Sequence, residues 1–545
     1  MSEPLSRVIL YKCKTLSPNY KDTYYFINRT AQATFFATLT HKDLTNSQVT
    51  RVSNNQIKVP FPVEEVRQYD YMKIENQRYN STSQSTSYDI PFYCFIDRCE
   101  YVSNMCTLIT FSVDVMQTFI CDTSTVLPEA FVARCHSNSD TIFTNREPEP
   151  FTVGETSVDA QMEYSLGDLL VVVGVVAKTN VTISGTTIQT KGNEYLNGKS
   201  YAGATYFIFD IGDLTEMLAL DDLIDSLPSP AAITDFYVVP KNSYIGAQTA
   251  WVVDPQVAGG SHRIINASTM TPAYNTAISG YTPKNNKLHN YPYCFLRAIS
   301  PTGDYMDLKF EEFTDGTKFY ERSNWYIEGS ATLYPYKYSS PAVDNKSYAI
   351  RTGSLPHCSW YGDAYGQWKA QKMGSQLLST AVDAGAGLIG TLVSAGIGMP
   401  VSAGIEFTRT ITGLISNIGQ NCADEIEAKN KINEFFNTKV SGDEALSQGQ
   451  LSWFFQRVSV AKAEAEQIDN YFTMFGYAQN KIMNVRTYLN SSVRPKFNYI
   501  KTVGFSVQGE MENDYKNEIN RIFDNGITFW KSTATIGDYS GNSLI

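Results

Sequence analysis

The chain has 545 residues, of which 43% are hydrophobic and 13% aromatic, and its formal net charge is −11. A chain of this length can form several domains with sizeable cores, and its many Tyr and Phe residues favour β-strands. The acidic balance argues against a tight nucleic-acid binder, because contacts to phosphates need Lys and Arg.

The first predicted section, residues 1–150, is all-β. Its strongest strand signal is an alternation of apolar and polar residues over 109–115, as in a strand with one buried face. The apolar positions are Ile109, Phe111, Val113 and Val115. A second β-rich run is predicted at 23–40, whereas 78–88 has the polar composition of a loop.

Residues 151–280 are predicted to form a separate middle lobe. Within it, Leu169 to Ala177 form an apolar run that suits a buried strand but is too short to cross a membrane. Residues 281–355 return to strands, with a hairpin expected at Asp315-Gly316.

From residue 356 the composition becomes helix-forming. We predict a helical insertion over 356–475, in which helices flank an apolar loop at 384–405 and an amphipathic helix occupies 455–475. The last section, 476–545, is predicted to be strands again. The chain therefore reads as a mainly β, multidomain protein with an inserted helix–apolar loop–helix excursion.

The most informative stretch is 384–405, AGAGLIGTLVSAGIGMPVSAGI, because it contains no charge. A membrane-spanning helix needs about 20 apolar residues, so the length fits. Each glycine, however, costs about 1 kcal/mol of helix propensity relative to alanine, while the large apolar residues favour insertion by only about 2–5 kcal/mol in total. Insertion is therefore marginal, and we predict a loop that enters a membrane conditionally. Its residues are Gly385, Gly387, Leu388, Ile389, Gly390, Leu392, Val393, Gly396, Ile397, Gly398, Met399, Pro400, Val401, Gly404 and Ile405.

Other interpretations of this segment stay open. It could be a Gly/Ala-rich helix packed in a protein core, or a permanent transmembrane anchor, which the glycines and Pro400 disfavour. Gly385, Gly387 and Gly390 also match G-x-G-x-x-G. No β-branched strand precedes them and Pro400 interrupts the helix that should follow, so a nucleotide site is not predicted.

The remaining motifs indicate no chemistry. Nine cysteines without a C-x-x-C pair favour free thiols over a disulfide framework or a metal site. The stretch from Gly192 to Ser200 resembles a P-loop but has one residue too many between its glycines. The N-terminus lacks the features of a secretory signal. We expect no cofactor, no metal and no enzymatic activity.

Several short motifs occur in the order found in one known family. They are Tyr20-Lys21-Asp22-Thr23, Val113 to Thr118, Tyr291 to Cys294, Met306 to Lys309, Phe475-Gly476-Tyr477, Arg494 to Tyr499, Arg521 to Trp530 and Ile536 to Tyr539. Together they resemble the distal tail knob protein of small short-tailed phages of the Picovirinae type. The matches run from about residue 19 to 540 and so cover nearly the whole chain.

The resemblance implies a homohexamer at the distal end of the phage tail, made in the bacterial host cytoplasm and in contact with other tail proteins. Residues 1–150, 281–355 and 476–545 would build a β tube. The tube would conduct phage DNA without sequence-specific binding, and an acidic lumen would reduce sticking. The loop at 384–405 would plug the tube and then penetrate the lipid of the host membrane as a pore during genome ejection.

Two alternatives belong to other functional classes. One is a tail enzyme that degrades host cell-surface glycan, which would need a cleft with paired carboxylates. The other is a purely structural tube or receptor-binding adhesin, in which the apolar loop is only a plug.

Overall fold

The fold is known from a computed structural model. It describes residues 7–44, 49–80, 85–122, 124–167, 169–175, 180–190, 194–196, 199–201, 205–210, 213–227, 233–243, 248–249, 251–253, 263–301, 303–324, 330–338, 348–351, 357–359, 452–491, 494–532 and 536–542. The chain divides into two compact units. The terminal unit comprises Met1–Glu155, Tyr274–Asn290 and Ala461–Ile545. The central unit comprises Thr156–Ala273 and Tyr291–Val460.

The described elements follow in chain order. The first part contains β1 (Arg7–Tyr11), β2 (Asp22–Tyr24), α1 (Arg29–Thr38), β3 (His41–Asp43), β4 (Thr50–Ser53), β5 (Gln56–Val59), α2 (Val63–Val66), β6 (Tyr71–Glu75), β7 (Gln77–Asn80), β8 (Ser85–Tyr88), β9 (Phe92–Ser103), β10 (Cys106–Val113), α3 (Val115–Phe119) and β11 (Glu129–Cys135). The middle part contains β12 (Thr156–Ser165), β13 (Leu169–Val175), β14 (Asn180–Ile183), β15 (Thr186–Gln189), β16 (Glu194–Leu196), β17 (Lys199–Tyr201), β18 (Thr205–Asp210), α4 (Leu214–Ser226), β19 (Ile233–Pro240), β20 (Gln248–Thr249), β21 (Val252–Val253), β22 (Arg263–Asn266), β23 (Cys294–Ile299), β24 (Tyr305–Leu308), β25 (Lys318–Asn324), β26 (Ser330–Pro335), β27 (Ile350–Arg351) and β28 (His357–Ser359). The last part contains β29 (Ser452–Val460), α5 (Lys462–Phe475), β30 (Tyr477–Asn484), α6 (Val485–Asn490), β31 (Phe497–Val503), α7 (Asn513–Asn525) and β32 (Ile527–Trp530).

The terminal unit is built on two larger sheets. One has seven strands in the order β3-β1-β6-β9-β10-β5-β4, and the other has five in the order β2-β32-β31-β11-β30. In the second sheet, β2 pairs in parallel with β32, so residues from the two ends of the chain lie side by side. Its apolar core draws on α3, β11, α6, β31 and α7.

The central unit contains three larger sheets. Six strands follow the order β20-β21-β18-β13-β19-β28, four follow β12-β29-β23-β24, and four follow β22-β25-β26-β27. The predicted buried strand at 169–177 is confirmed as β13, where Val172, Val173 and Val175 are fully buried. The prediction of a mainly β fold is confirmed as well. The predicted helix–apolar loop–helix excursion lies outside the described residues.

The predicted strand at 109–115 is confirmed only to Val113. Ile109 and Phe111 are buried as the alternation requires. Asp114, however, accepts hydrogen bonds from the backbone N–H groups of Met116 and Gln117, both at 3.1 Å, and so caps α3. A side chain that satisfies the first N–H groups of a helix favours a helix start over a continued strand.

The β-rich run predicted at 23–40 is largely wrong, because residues 29–38 form α1. Asn28 Oδ1 accepts from the N–H of Ala31 at 2.8 Å and caps this helix. Phe36 is 1% exposed and stacks on Tyr93, with ring centroids 4.5 Å apart. Tertiary packing here overrides the β-propensity of aromatic residues. The loop predicted at 78–88 is wrong for its described residues, because those up to Asn80 belong to β7 and those from Ser85 belong to β8, and these two strands pair antiparallel.

Three later predictions also need correction. The helix predicted at 455–475 begins only at Lys462, because residues up to Val460 belong to β29. The strands predicted for 476–545 are interrupted by α6 and α7. Gly316 has φ +74° and forms a turn, but β24 and β25 on its two sides belong to different sheets, so there is no hairpin at Asp315-Gly316. Short-range patterns do not reveal the distant strands that complete each sheet.

Candidate functional site

The predicted functional segment begins and ends within the central unit. Residues 384–405, and with them every residue assigned to the apolar loop, lie outside the described residues. On the N-terminal side, β28 pairs antiparallel with β19 in the six-stranded sheet. On the C-terminal side, β29 lies between β12 and β23 in the four-stranded sheet. The chain between β28 and β29 therefore leaves one sheet and returns to another.

The strand that follows the insertion is held on both sides. Trp453 and Phe455 are fully buried, and the indole Nε1 of Trp453 donates a 3.0 Å hydrogen bond to Glu321 Oε1. Phe455 packs against Phe319 with ring centroids 4.7 Å apart. β29 is held firmly in its sheet because its large aromatic side chains are buried and because it pairs with β12 on one side and β23 on the other.

A row of polar side chains adds to the hold between β29 and β12. Ser452 Oγ donates to Glu163 Oε1 at 2.5 Å, and Gln456 Nε2 donates to Gln161 Oε1 at 2.9 Å. Ser459 Oγ donates to Asp159 Oδ2 at 2.5 Å, beside the register shift in β12. Each such bond contributes about 0.5–1.5 kcal/mol, so β29 is suited to anchor a long insertion.

In the terminal unit, four of the motifs identified in the sequence come together. Trp530 Nε1 donates to Asp22 Oδ1 at 2.7 Å, and Tyr539 Oη donates to the same oxygen at 3.1 Å. The ring of Phe497 contacts those of Trp530 and Tyr539, with centroids 4.6 and 5.2 Å apart. Residues from the beginning and the end of the chain thus form one cluster, which we call the end clamp (Asp22, Phe497, Trp530 and Tyr539).

A network of buried charges holds the segment Tyr274–Asn290 in the terminal unit. Glu149, whose side chain is 1% exposed, forms ion pairs with both Arg134 and Lys287. Asp469 on α5 accepts from Tyr281 Oη and from the N–H of Lys284, both at 2.7 Å. Buried charges are tolerated when they are paired in this way. The pKa of Lys287 is lowered mainly by burial, and the nearby positive charge of Arg134 lowers it further.

Close backbone approach accounts for Gly476, which precedes β30. Its φ is +66°, and a Cβ at this position would lie 2.3 Å from the carbonyl oxygen of Cys135. His136, which follows Cys135, is buried. Its Nδ1 accepts a hydrogen bond from the N–H of Tyr499 at 2.8 Å, and its Nε2 lies 3.0 Å from the carbonyl oxygen of Thr473. The histidine is therefore neutral with its proton on Nε2, and burial lowers its pKa to about 3.

The described residues show no group of side chains suited to hold a metal ion. None of the described helices is both long enough and apolar enough to span a bilayer. Cys13, Cys94, Cys99, Cys106, Cys121, Cys135 and Cys294 are free thiols. Sequence reasoning singled out Asp22 and Gly476 only as parts of motifs, and it missed Glu149, Asp469 and His136. Nothing in the local pattern around those three distinguishes them from surface polar residues.

Comparison with known proteins indicates the class of protein to which this chain belongs. Residues 4–124 match a family model described as the caudoviral major tail protein N-terminus. Residues 261–543 match the model described as Bacillus phage phi29, Tail knob protein gp9, C-terminal domain. Neither match covers residues 125–260. The chain is thus a structural protein of a bacteriophage tail.

The second match covers slightly more than half of the chain, and the chain belongs to the tail knob protein family. It is 23% identical to tail knob protein gp9 of Bacillus phage phi29 over 96% of both chains. It is 22% identical to tail knob protein gp9 of Bacillus phage B103 over 97% of both chains. Its fold is similar to that of the bacteriophage C1 tail knob protein, gp12, with a TM-score of 0.56 at 10% identity, covering 99% of this chain and 100% of that one.

Membership of this family confirms three predictions. The chain is a component of the virion, at the distal end of the tail. It has a structural role and is not an enzyme, which sets aside the glycan-degrading alternative. Its partners include other tail proteins.

Proposed function

We propose that this tail knob protein forms a homohexameric tube that conducts phage DNA and penetrates the host membrane with its apolar loops. Before infection the loops at 384–405 plug the tube. During genome ejection they leave it and form a pore in the host lipid. Residues 1–150, 281–355 and 476–545 build the tube, and 151–280 form a middle lobe.

The observation that carries the proposal is an uncharged segment followed by a strand that is well held in its sheet. The 22 residues 384–405 contain no charge, and the first described strand after them, β29, is paired on both sides. A segment that changes its surroundings from protein to lipid needs a fixed base, because otherwise the surrounding fold would unravel with it. The buried Trp453 and the polar row between β12 and β29 provide that base.

Two further properties support a conduit. The net charge of −11 disfavours adhesion of DNA to the wall, since like charges repel. Insertion of one glycine-rich segment is marginal, but close packing of small residues from six copies would stabilise the segments against one another. The loops would therefore contact lipid, and the wall of the lumen would face DNA. Neither contact needs a site that recognises a DNA sequence.

Dye release from liposomes tests the membrane step. The purified full chain is mixed with dye-loaded liposomes over a range of pH, beside a variant in which Leu388, Leu392 and Val393 are replaced by Ser. We expect release by the wild type and a loss of at least about tenfold in the variant, because each large apolar residue favours insertion.

The matched control replaces Tyr101 and Met105 by Ser, since both are exposed large hydrophobics, 60% and 62% accessible. This control should release dye as the wild type does. Equal release by all three proteins, or no release by any at every pH, would contradict membrane penetration. Intact liposomes together with infection that survives the triple substitution would instead support the structural plug. Negative-stain images should show rings with six-fold symmetry, and monomers would contradict the tube.

A further inference from the structure

Arg494 is a buried cation with unpaired donors. It stands just before β31, and only 2% of its surface is exposed. Its Nε and Nη2 atoms have no hydrogen-bond partner among the described residues. Its own carbonyl oxygen accepts a hydrogen bond from Lys531 Nζ, which brings a second cation to the same place.

Such a guanidinium needs a compensating charge. Arginine keeps its proton at every physiological pH, so it cannot become neutral as a buried lysine can. A buried charge without a partner costs several kcal/mol. Among the described residues, Arg494 takes part in none of the ion pairs. It also takes part in none of the cation–π contacts found there.

The groups around Arg494 include other cations. His136 is neutral, and its pKa is lowered by burial and next by Arg494, which indicates that the cation lies close to it. Arg134 and Lys531 act on His136 in the same direction. Arg494 therefore shares its surroundings with two other cations, Arg134 and Lys531.

Two other arginines show what the unpaired edge of a guanidinium binds. Arg297 uses Nε and Nη2 to hold the two oxygens of Asp307 at 2.7 and 2.9 Å. Arg521 holds Glu518 with the same two atoms at 3.0 and 2.6 Å. Nε and Nη2 donate in parallel and match two oxygens on one central atom. The edge that Arg494 buries unpaired is this same edge.

We propose that Arg494 is the centre of an internal site for a small oxyanion, of the size of inorganic phosphate or sulfate. The Nε–Nη2 edge binds two of its oxygens, and the ammonium of Lys531 adds to the positive field. The site lies beside the end clamp, at the junction of β11, β31 and β32. Its oxyanion stabilises the terminal unit, and this role is independent of membrane penetration.

Anion content tests the proposal directly. The full chain is purified in phosphate, exchanged extensively into a phosphate- and sulfate-free buffer, and then unfolded in guanidinium chloride. Ion chromatography of the released solution should show close to one phosphate per chain. Protein that releases no phosphate, and that also gains no stability when phosphate is added back, would overturn the proposal, since a water molecule would then satisfy Arg494.

The second readout is the thermal midpoint as phosphate replaces chloride at constant ionic strength. A bound anion stabilises the folded state in a saturable manner, so the midpoint should rise and level off. Arg494→Met should lose this dependence, whereas Arg98→Met should keep it, because the Arg98 side chain is 74% exposed. If Arg494→Met fails to fold, the phosphate released by the wild type still decides the matter. A midpoint that depends on phosphate equally in both variants would reflect a general salt effect and would overturn the proposal.

Discussion

The hydrogen bond from Trp530 Nε1 to Asp22 Oδ1 joins two residues that are 508 positions apart in the chain. Trp530 is fully buried, and Tyr24, two residues beyond Asp22, pairs with it in the parallel register of β2 and β32. The terminal unit therefore cannot be completed until residues from both ends are present. Loop closure over so many residues is entropically costly, and the burial of aromatic rings in the end clamp offsets that cost.

Asp22→Ala should destabilise the terminal unit by about 1–3 kcal/mol, because it leaves the buried donor of Trp530 without its acceptor. Urea unfolding of the full chain, followed by hydrogen exchange of peptides from 494–532, measures the change. Asp97→Ala is the control, since the hydrogen bond that Asp97 accepts from Ser112 is exposed to solvent. It should change stability by less than about 0.5 kcal/mol. Equal effects of the two substitutions would contradict the role assigned to Asp22.

Gly476→Ala should cost about 2–6 kcal/mol, from backbone strain at positive φ and from overpacking. The added Cβ would meet Cys135 O at 2.3 Å and His136 N at 2.5 Å, and both are backbone atoms of a paired strand end. Gly504→Ala is a close control, because its φ is +68° and nothing lies within 4 Å of its Cβ position. Urea unfolding should show a clearly smaller loss for Gly504→Ala. Similar losses would mean that the close approach to Cys135 does not matter.

His136 makes the stability of the terminal unit depend on pH. Its pKa is lowered from 6.5 to about 3 in the folded chain, mainly by burial. Between these values the unfolded chain binds a proton that the folded chain does not, so stability is lost as pH falls, by about 1.4 kcal/mol per pH unit. Free energies of unfolding from about pH 7 to pH 4 should show this slope in the difference between wild type and His136→Gln. A difference that does not change with pH would contradict it.

Asp114 should act with the opposite sign. Burial raises the pKa of this carboxyl from 3.8 to about 6 in the folded chain. Between these values the folded chain binds the extra proton, so Asp114 contributes stability as pH falls through that range. The difference between wild type and Asp114→Asn should therefore change with pH in the sense opposite to that of His136→Gln. The same series of unfolding measurements checks this, and slopes of equal sign would refute it.

Glu149→Gln should cost about 3–5 kcal/mol, because it leaves two buried cations, Arg134 and Lys287, without their shared carboxylate. Glu100→Gln removes an ion pair with Arg98, whose side chain is 74% exposed, and should cost at most about 1 kcal/mol. Chemical unfolding at neutral pH measures both. Limited proteolysis within Tyr274–Asn290 should become faster in Glu149→Gln only. Unchanged stability of Glu149→Gln would show that the network is not needed.

Local patterns predicted the strands that depend on burial alone. The apolar run of β13 and the alternation at Ile109 and Phe111 report the environment of each residue directly. They failed where a distant partner decided the conformation. Phe36 has a strand-forming side chain, yet it lies in a helix because its ring packs against Tyr71 and Tyr93. Likewise, the first part of the predicted helix at 455–475 is a strand because β12 and β23 pair with it.

The uncharged segment at 384–405, the mainly β composition and the motifs that indicate a tail knob protein can all be recognised from the printed sequence. These features follow from residue types and their order. The folded chain was needed to show that Asp22 contacts Trp530, that Glu149 pairs with two cations, and that Arg494 is buried with its Nε–Nη2 edge unpaired. Such relationships join residues far apart in the chain, and their energies depend on burial and geometry, which arise only when the chain is packed.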